Sequence, residues 1–170
     1  TKAHSELEGM GNCTLCHELG AKVSDSKCLD CHNEIQSLLN QDRGLHANSR
    51  VKAQNCFECH SEHHGRNFDM IRFDTNNFNH NRTGYTLEGA HAKVDCRDCH
   101  NPTNIPDPKL RSDSDTWLGL NQKCLSCHED FHQGTLPTDC LQCHSMEGFT
   151  PVTKFNHETA DYKLRGQHLV

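Results

Sequence analysis

The pentapeptide Cys-x-x-Cys-His occurs six times in this 170-residue chain and uses all twelve of its cysteines. The paired cysteines are Cys13 and Cys16, Cys28 and Cys31, Cys56 and Cys59, Cys96 and Cys99, Cys124 and Cys127, and Cys140 and Cys143. The histidines that close the motifs are His17, His32, His60, His100, His128 and His144. This spacing is the attachment signature of c-type haem: two thiols bond to the porphyrin vinyl groups, and the histidine binds the iron. The motifs therefore predict six covalently bound haems and a protein that carries electrons.

Structural zinc sites and disulfides also use paired cysteines, and both are disfavoured. A zinc protein would pair its Cys-x-x-Cys units and would not need a histidine at the same place after every unit. A disulfide framework would scatter its cysteines at varied spacings. A pyridine haemochrome spectrum without a haem signal would contradict the haem interpretation.

The composition is too polar for a fold that relies on its own side chains. Apolar residues make up 33% of the chain, and the mean hydropathy is −0.84. Such a chain would ordinarily be disordered. Covalently attached haems resolve the conflict because each adds a large apolar disc and two covalent links. We therefore predict a core formed by the haems and a largely disordered haem-free chain.

The charge pattern and hydropathy exclude several partners. The net charge is −6, with basic and acidic residues interspersed, so nucleic-acid binding is not supported. The sequence contains no apolar stretch long enough for a membrane span or a signal sequence. Because haem is attached to this motif outside the bacterial cytoplasm, we expect a periplasmic or extracellular protein, bacterial or archaeal, whose leader has been removed.

Each haem iron needs a second axial ligand, and histidine is the best supplied candidate. Nine histidines lie outside the motifs, against three methionines that do not recur in the repeat described below. Bis-histidine ligation is therefore favoured, which predicts low potentials and low-spin irons. The favoured distal ligands are His46, His63, His80, His91, His132 and His157. The less favoured candidates are His64, which directly follows His63, and His4 and His168, which lie near the ends of the chain.

An internal repeat organises these residues. Residues 78–91 align without a gap with residues 155–168, matching His80 with His157 and His91 with His168. With gaps, Cys13, Cys28 and Cys56 align with Cys96, Cys124 and Cys140, and His46 aligns with His132. The repeat predicts a trihaem unit at 1–77 and a second at 78–154. Residues 155–170 then form the start of a third repeat or a C-terminal segment of distal ligands.

Two segments between the motifs have their own signals. In residues 33–41, the spacing of Ile35, Leu38 and Leu39 predicts a short amphipathic helix, which Arg43-Gly44 would end. Residues 101–123 hold three of the five prolines and a Ser/Asp run, which predicts a loop insertion in the second unit. Trp117 in this loop is expected to pack against a haem edge.

The motifs and their flanks resemble the multihaem cytochromes c with class III, cytochrome c3-type, repeats. The resemblance rests on F-x-H…G-x-H-x-x-V-x-C-x-x-C-H at 78–100, C-x-x-C-H-x-E-H-x-G at 56–65 and the six haem motifs. It implies a mostly irregular chain with a few short α-helices and little or no β-structure. It also implies that His80 binds the haem of His100, that His91 binds a neighbouring haem, and that the function is electron transfer.

Three functional hypotheses follow. The first is an electron-transfer protein without substrate chemistry, whose partners are redox proteins, a membrane quinol-oxidising complex or an extracellular acceptor. The second is a multihaem reductase of nitrite, hydroxylamine or a sulfur compound, which would need an open axial position. The third is a conducting subunit of an extracellular filament, self-assembled through ligation across subunits. In the related repeats another Cys-x-x-Cys-His follows G-x-H-x-x-V, so we expect either a fragment of a longer cytochrome or a neighbouring copy that uses His157 or His168.

Overall fold

A computed structural model describes residues 1–20, 23–72 and 74–169, and the chain divides into two compact units, Thr1–Thr86 (unit 1) and Leu87–Val170 (unit 2). The α-helices are α1 (Cys13–Cys16), α2 (Asp25–Leu29), α3 (Asn33–Asn40), α4 (Ser49–Lys52), α5 (Cys56–Cys59), α6 (Cys96–Cys99) and α7 (Pro108–Arg111). Short 3-10 helices lie at Ser5–Leu7, Met10–Asn12, Leu45–Ala47, Thr75–Asn77, His80–Thr83, Gly89–Lys93, Pro102–Asn104, Cys124–Ser126, Cys140–Gln142, His157–Thr159 and Gly166–Leu169. The predicted boundary at 77/78 and the unit boundary at 86/87 lie on either side of the His80 helix.

The prediction of a mostly irregular chain with a few short helices is confirmed. The longest α-helix, α3, has eight residues. Within the described ranges, β-type pairing is limited to one isolated bridge between Ser145 and Gly148. None of the helices in the described part of the chain combines the length and the hydrophobicity that a membrane span requires.

Helix α3 forms where the apolar spacing predicted it. The turn at the end of this helix positions His46. The Arg43 N–H donates to the Leu38 carbonyl oxygen at 2.9 Å, which closes the last turn. Gly44 then adopts a φ of +77°, a left-handed conformation that favours glycine. The Gly44 N–H donates to the Thr83 carbonyl oxygen at 2.9 Å, so the chain enters the short helix containing His46 from a fixed direction.

The polypeptide buries few of its own side chains. Among the described residues, only Ile105 and Thr116 are buried, with 1% and 7% of their surface exposed. Large apolar side chains such as Phe57, Leu125 and Leu141, which lie inside the Cys-x-x-Cys motifs, remain partly exposed on the polypeptide. A fold of this kind requires a further apolar component, and covalently bound haems have that chemistry.

The 101–123 segment contains more structure than its loop composition predicted. It includes one 3-10 helix and α7, and it supplies both buried residues. Gly119, with a φ of +91°, lies so close to the Ile105 and Leu110 side chains that a β-carbon there would be 2.8 Å from Ile105 Cγ2. Sequence composition missed this packing because the apolar residues are few and are separated by prolines and aspartates.

Candidate haem sites

All six haem motifs share one local backbone geometry. In each, the histidine N–H donates to the carbonyl oxygen of the first cysteine, which closes a single helical turn. These distances are 2.8 Å for His17, 3.0 Å for His32, and 2.9 Å for His60, His100, His128 and His144. The turn brings both cysteines and the histidine of a motif together, as covalent attachment to one porphyrin requires.

Acidic side chains fix the start of two of these turns. At α6, Asp95 and Asp98 form a capping box, in which each carboxylate accepts the other residue's backbone N–H. At α5 the acceptor is distant in sequence, because the Cys56 N–H donates to the Asp25 carboxylate at 2.9 Å. Helix α2 carries Asp25 and Cys28, so this bond ties the second haem motif to the third.

The second and third motifs are neighbours in both units. Burial, together with hydrogen bonds and charges from Asp25 and Cys28, raises the pKa of Cys56 to about 12. Burial likewise raises the pKa of Cys140, with Cys124 as the next cause. Cys28 and Cys56 align with Cys124 and Cys140 in the repeat, so both units bring equivalent cysteines together. Two porphyrins attached at such neighbouring cysteines would lie close to each other.

Five histidine pairs face each other at nearly the same separation. The distances between ring centroids are 6.0 Å for His4 and His32, 6.1 Å for His17 and His63, 6.0 Å for His46 and His60, 5.9 Å for His91 and His128, and 6.0 Å for His132 and His144. Each pair joins one motif histidine to one histidine outside the motifs. Each pair also lies within a single unit.

This separation fits one metal ion between two imidazole rings. An imidazole nitrogen lies about 2 Å from a metal that it binds, so two rings that hold one metal from opposite sides have centroids about 6 Å apart. Rings in direct contact are closer, as His64 and Phe68 demonstrate with centroids at 4.4 Å. The residues therefore fit a haem iron with two histidine ligands, and the haem would supply one-electron redox chemistry at each such pair.

Hydrogen bonds from Nδ1 to carbonyl oxygens leave Nε2 for the metal in two of these rings. His60 Nδ1 donates to the Met70 carbonyl oxygen at 3.1 Å, and His144 Nδ1 donates to the Phe149 carbonyl oxygen at 2.9 Å. Such bonds select the tautomer whose Nε2 carries a lone pair. His91 Nδ1 is different, because it is buried and has no hydrogen-bond partner in the described structure.

Carboxylates contact three further rings of the pairs. His32 Nδ1 lies 3.0 Å from Glu34, His132 Nδ1 lies 3.4 Å from Asp130, and His4 Nδ1 bonds to Glu62. Partial burial raises the pKa of Glu62, but hydrogen bonds from the N-terminal ammonium group, the Thr1 hydroxyl and His4 outweigh it and lower the pKa to about 2. Glu62 is therefore ionised across the neutral pH range.

Sequence reasoning missed these acidic residues, although the sequence does contain a signal for them. Glu34, Glu62 and Asp130 each stand two positions after a motif histidine. The position is shared but the contacts are not: Glu34 reaches its own motif histidine, whereas Glu62 and Asp130 reach histidines outside the motifs.

Two of the pairs are equivalent under the internal repeat. His46 aligns with His132, and their partners His60 and His144 belong to aligned motifs. The pairs His4–His32 and His91–His128 also correspond, since His32 and His128 are aligned and each partner lies upstream of the first motif of its unit. His4, which its place near the chain end made a less favoured candidate, thus faces a motif histidine as the favoured ligands do.

The loops that follow the third and fifth motifs share a turn but bring their histidines to different motifs of their units. His63 and His132 both precede a glycine, and Gly65 and Gly134 turn with φ values of +88° and +76°. His63 itself has a φ of +66°, which is unusual for a residue with a β-carbon. Despite this shared turn, His63 faces the first motif of its unit, whereas His132 faces the third.

The pairing of His80 with His100 stays a prediction, because these residues belong to different units. His80 Nδ1 donates to the Tyr85 carbonyl oxygen at 3.3 Å, and its ring meets Phe78 edge-on at 5.6 Å. The His100 ring meets Trp117 edge-on at 5.1 Å. The latter contact places Trp117 beside a haem-motif histidine, and its packing against a haem edge stays a prediction.

Arg97 connects the fourth motif to the 101–123 segment. Its guanidinium carbon lies 3.9 Å from the centroid of the Trp117 ring. It also donates to the carbonyl oxygens of His100 at 3.2 Å, Thr116 at 3.1 Å and Asp115 at 3.1 Å. Arg97 is one of the variable residues of its motif, and nothing in the motif pattern indicates this role.

The remaining three histidines outside the motifs face no second histidine in the described part of the chain. His64 stacks on Phe68, and its Nε2 lies 3.0 Å from the Ser61 hydroxyl. His157 meets Phe155 edge-on at 4.8 Å, and His168 lies near Tyr162 at 6.4 Å. The structure thus separates the adjacent His63 and His64, and only His63 lies opposite a motif histidine.

A close backbone contact positions His91. Gly89 has a φ of +55°, and a β-carbon there would be 2.3 Å from the Met146 carbonyl oxygen. The Ala90 N–H donates to that oxygen at 2.8 Å. The segment that carries His91 is therefore held against the chain that follows the His144 motif.

The described residues give no support for the two alternative uses of the cysteines. All twelve cysteines are free of disulfide bonds. No group of three or more His, Cys, Asp and Glu side chains converges within the described residues in the arrangement that structural zinc needs.

Comparison with known proteins agrees with the resemblance seen in the motifs. Residues 76–145, which contain the last three motifs, match the family model of cytochrome c7 and related cytochrome c. No curated protein and no solved structure matches the chain significantly. Cytochromes of the matched family carry electrons outside the cytoplasm, in the periplasm or on the cell exterior. Residues 76–145 are accordingly similar to the multihaem cytochromes c with class III repeats, whose members are electron carriers.

Proposed function

We propose that this protein is a hexahaem cytochrome whose six low-potential irons pass electrons along a chain of haems in periplasmic or extracellular respiration. The observation that carries the proposal is the set of five facing histidine pairs with centroids 5.9–6.1 Å apart. With two imidazole ligands, an iron has no position for a substrate and its potential is low. His80 and His100 supply the sixth pair of ligands, as the resemblance implies.

The arrangement of the motifs supports transfer between haems. The second and third motifs of each unit are neighbours through Cys28 and Cys56 and through Cys124 and Cys140. Haems attached there come close enough for direct electron exchange. The physiological partners are redox proteins or a membrane quinol-oxidising complex, and the mature chain follows removal of a leader.

Haem content and ligation test the proposal together. We expect a pyridine haemochrome assay and the intact mass to give six haems per chain. Low-temperature EPR of the oxidised protein should contain low-spin signals alone, and the reduced protein should not bind carbon monoxide. Five or fewer haems, or a high-spin signal that binds carbon monoxide, would contradict the hexahaem bis-histidine assignment and return a reductase site to consideration.

A second candidate function is a conducting subunit of an extracellular filament. The observation that favours it is the C-terminal segment 155–168, which repeats 78–91 but whose His157 and His168 face no second histidine among the described residues. In a filament these histidines bind haems of the next copy. Electron microscopy of the native protein, with His157→Ala and His168→Ala as variants and His64→Ala as the control, tests this. Assembly that is unaffected by the first two variants would rule out ligation across subunits.

A further inference from the structure

One facing pair in unit 1 differs from the other two in what its rings contact on the side away from the partner. In the pair His4–His32, both rings meet a carboxylate: His4 Nδ1 bonds to Glu62, and His32 Nδ1 lies 3.0 Å from Glu34. In the pair His46–His60, His60 Nδ1 donates to the neutral Met70 carbonyl. In the pair His17–His63, neither ring nitrogen contacts a carboxylate within the described residues.

The partner of Nδ1 matters because it changes how strongly the ring donates electrons to a metal. A ring N–H that donates to a carboxylate gives the opposite nitrogen greater basicity than one that donates to a carbonyl. The negative charge also stabilises the oxidised iron, which carries one more positive charge than the reduced iron. Both effects favour the oxidised state and therefore lower the potential.

The two carboxylates are held in place by other contacts. Glu62 also accepts from the Thr1 hydroxyl at 2.7 Å and from the N-terminal ammonium group at 2.8 Å. Glu34 lies in the first turn of α3, directly after the His32 motif, so its backbone is ordered by the helix. The ammonium group offsets part of the charge of Glu62, and the hydrogen bond to His4 remains.

We propose that Glu34 and Glu62 are positioning residues that give the haem held between His4 and His32 the lowest reduction potential in unit 1. The inference rests on the proposed bis-histidine ligation. It goes beyond that ligation by ordering the sites: electrons that enter unit 1 remain longest on the other two haems.

The ring geometry provides a signal with which to follow this site. The His4 and His32 rings are inclined at 57°, against 32° and 33° for the other two pairs of unit 1. Low-spin haems with strongly inclined axial rings have a larger g anisotropy than haems with nearly parallel rings. In unit 2, His91–His128 at 70° gives a second signal of this kind. The proposed variants should change the potential at which one of the two signals disappears and leave that of the other unchanged.

The experiment is a redox titration of the full-length haem protein monitored by EPR. The variants are Glu34→Gln, Glu62→Gln and both together, since glutamine keeps a hydrogen-bond acceptor and removes the charge. Glu6→Gln is the matched control: it removes the same charge two residues from His4, from an exposed side chain. We expect the double variant to favour reduction of the shifted site at least tenfold, which is about 59 mV for one electron. The control should shift it much less.

The outcomes separate this inference from the proposed function. An equal shift in Glu6→Gln, or no shift in the double variant, would overturn the role of the hydrogen-bonded carboxylates while leaving six low-spin haems in place. If the oxidised, unaltered protein had no large-anisotropy signals, bis-histidine ligation at these pairs would be contradicted instead. If a variant lost haem, titration of the unaltered protein would still test the inference. The haem with the lowest potential is reduced last, so its EPR signal should be among the last to disappear. If both large-anisotropy signals disappeared before the other signals, the proposed order of potentials would be wrong.

Discussion

At the scale of single residues, ligand choice depends on which ring of a neighbouring pair of histidines turns toward the iron. His63 and His64 are adjacent, yet His63 faces His17 and His64 stacks on Phe68. The left-handed φ of +66° at His63 sends the two rings in different directions. Adjacent candidates therefore have different roles, which alanine variants can separate.

Replacing His63 with alanine should open one haem, whereas replacing His64 should not. In His63→Ala we expect one iron to become high-spin and to bind carbon monoxide after reduction, because its sixth ligand is lost. In the matched variant His64→Ala we expect the spectrum of the unaltered protein. EPR and carbon monoxide difference spectra make the measurement. A high-spin signal in His64→Ala with none in His63→Ala would reverse the assignment.

Replacing a distal histidine with methionine should raise the potential of one haem. The test residue is His91, whose ring lies 5.9 Å from His128 and whose Nδ1 has no hydrogen-bond partner to lose in the described structure. Methionine raises the potential of a haem relative to histidine. In His91→Met we expect one of the redox transitions to move upward and the signal of the 70° pair to disappear. A titration identical to that of the unaltered protein would exclude His91 as a ligand.

At the scale of elements, close backbone contacts hold the ligand-bearing turns. Gly89 and Gly166 are equivalent in the repeat and have similar φ values of +55° and +60°. A β-carbon at Gly89 would meet the Met146 backbone, whereas a β-carbon at Gly166 would meet nothing within 4 Å. The two glycines thus separate the effect of backbone conformation from that of packing.

Alanine at Gly89 should cost more stability than alanine at Gly166. Both substitutions introduce left-handed strain of about 1 kcal/mol. Gly89→Ala should also displace the chain at Met146, for which we expect about 2 kcal/mol more. Thermal unfolding of the two haem-loaded variants measures the difference. Equal destabilisation would mean that the Gly89–Met146 contact does not hold the His91 segment.

Arg97 offers a second test at this scale. Arg97→Ala removes hydrogen bonds to three carbonyl oxygens and the contact with Trp117, and we expect a loss of about 2 kcal/mol. Arg97→Lys keeps the charge but not the planar fork, so it should recover only part of that loss. Chemical unfolding of both variants provides the measurement. Full recovery by lysine would indicate that the charge alone matters.

At this scale the sequence predicted the turns better than the contacts between them. The helix at 33–41 was predictable because Ile35, Leu38 and Leu39 share one face, and the motif turns were predictable because haem attachment imposes the spacing. The partner of His17 could not be predicted, because the choice between the adjacent His63 and His64 depends on the backbone torsion at His63. Packing around Ile105 was also hidden, since it depends on Gly119 approaching from fourteen residues away.

At the scale of the whole molecule, stability depends on the haems. With only Ile105 and Thr116 buried among the described residues, side-chain burial is too small to offset the entropy of ordering the chain. Chain produced without haem attachment should give a poorly dispersed NMR spectrum and no cooperative thermal transition. A dispersed spectrum with a cooperative transition would contradict this expectation.

The His63–His17 contact also has a consequence for dividing the molecule. Because of it, each of the three motif histidines of residues 1–86 faces a partner from the same stretch. Residues 1–86 should therefore be a self-sufficient three-haem protein that can be produced alone, with every iron low-spin. Residues 1–86 can then be treated as an independent module of three haems, a property useful for building longer chains of haems.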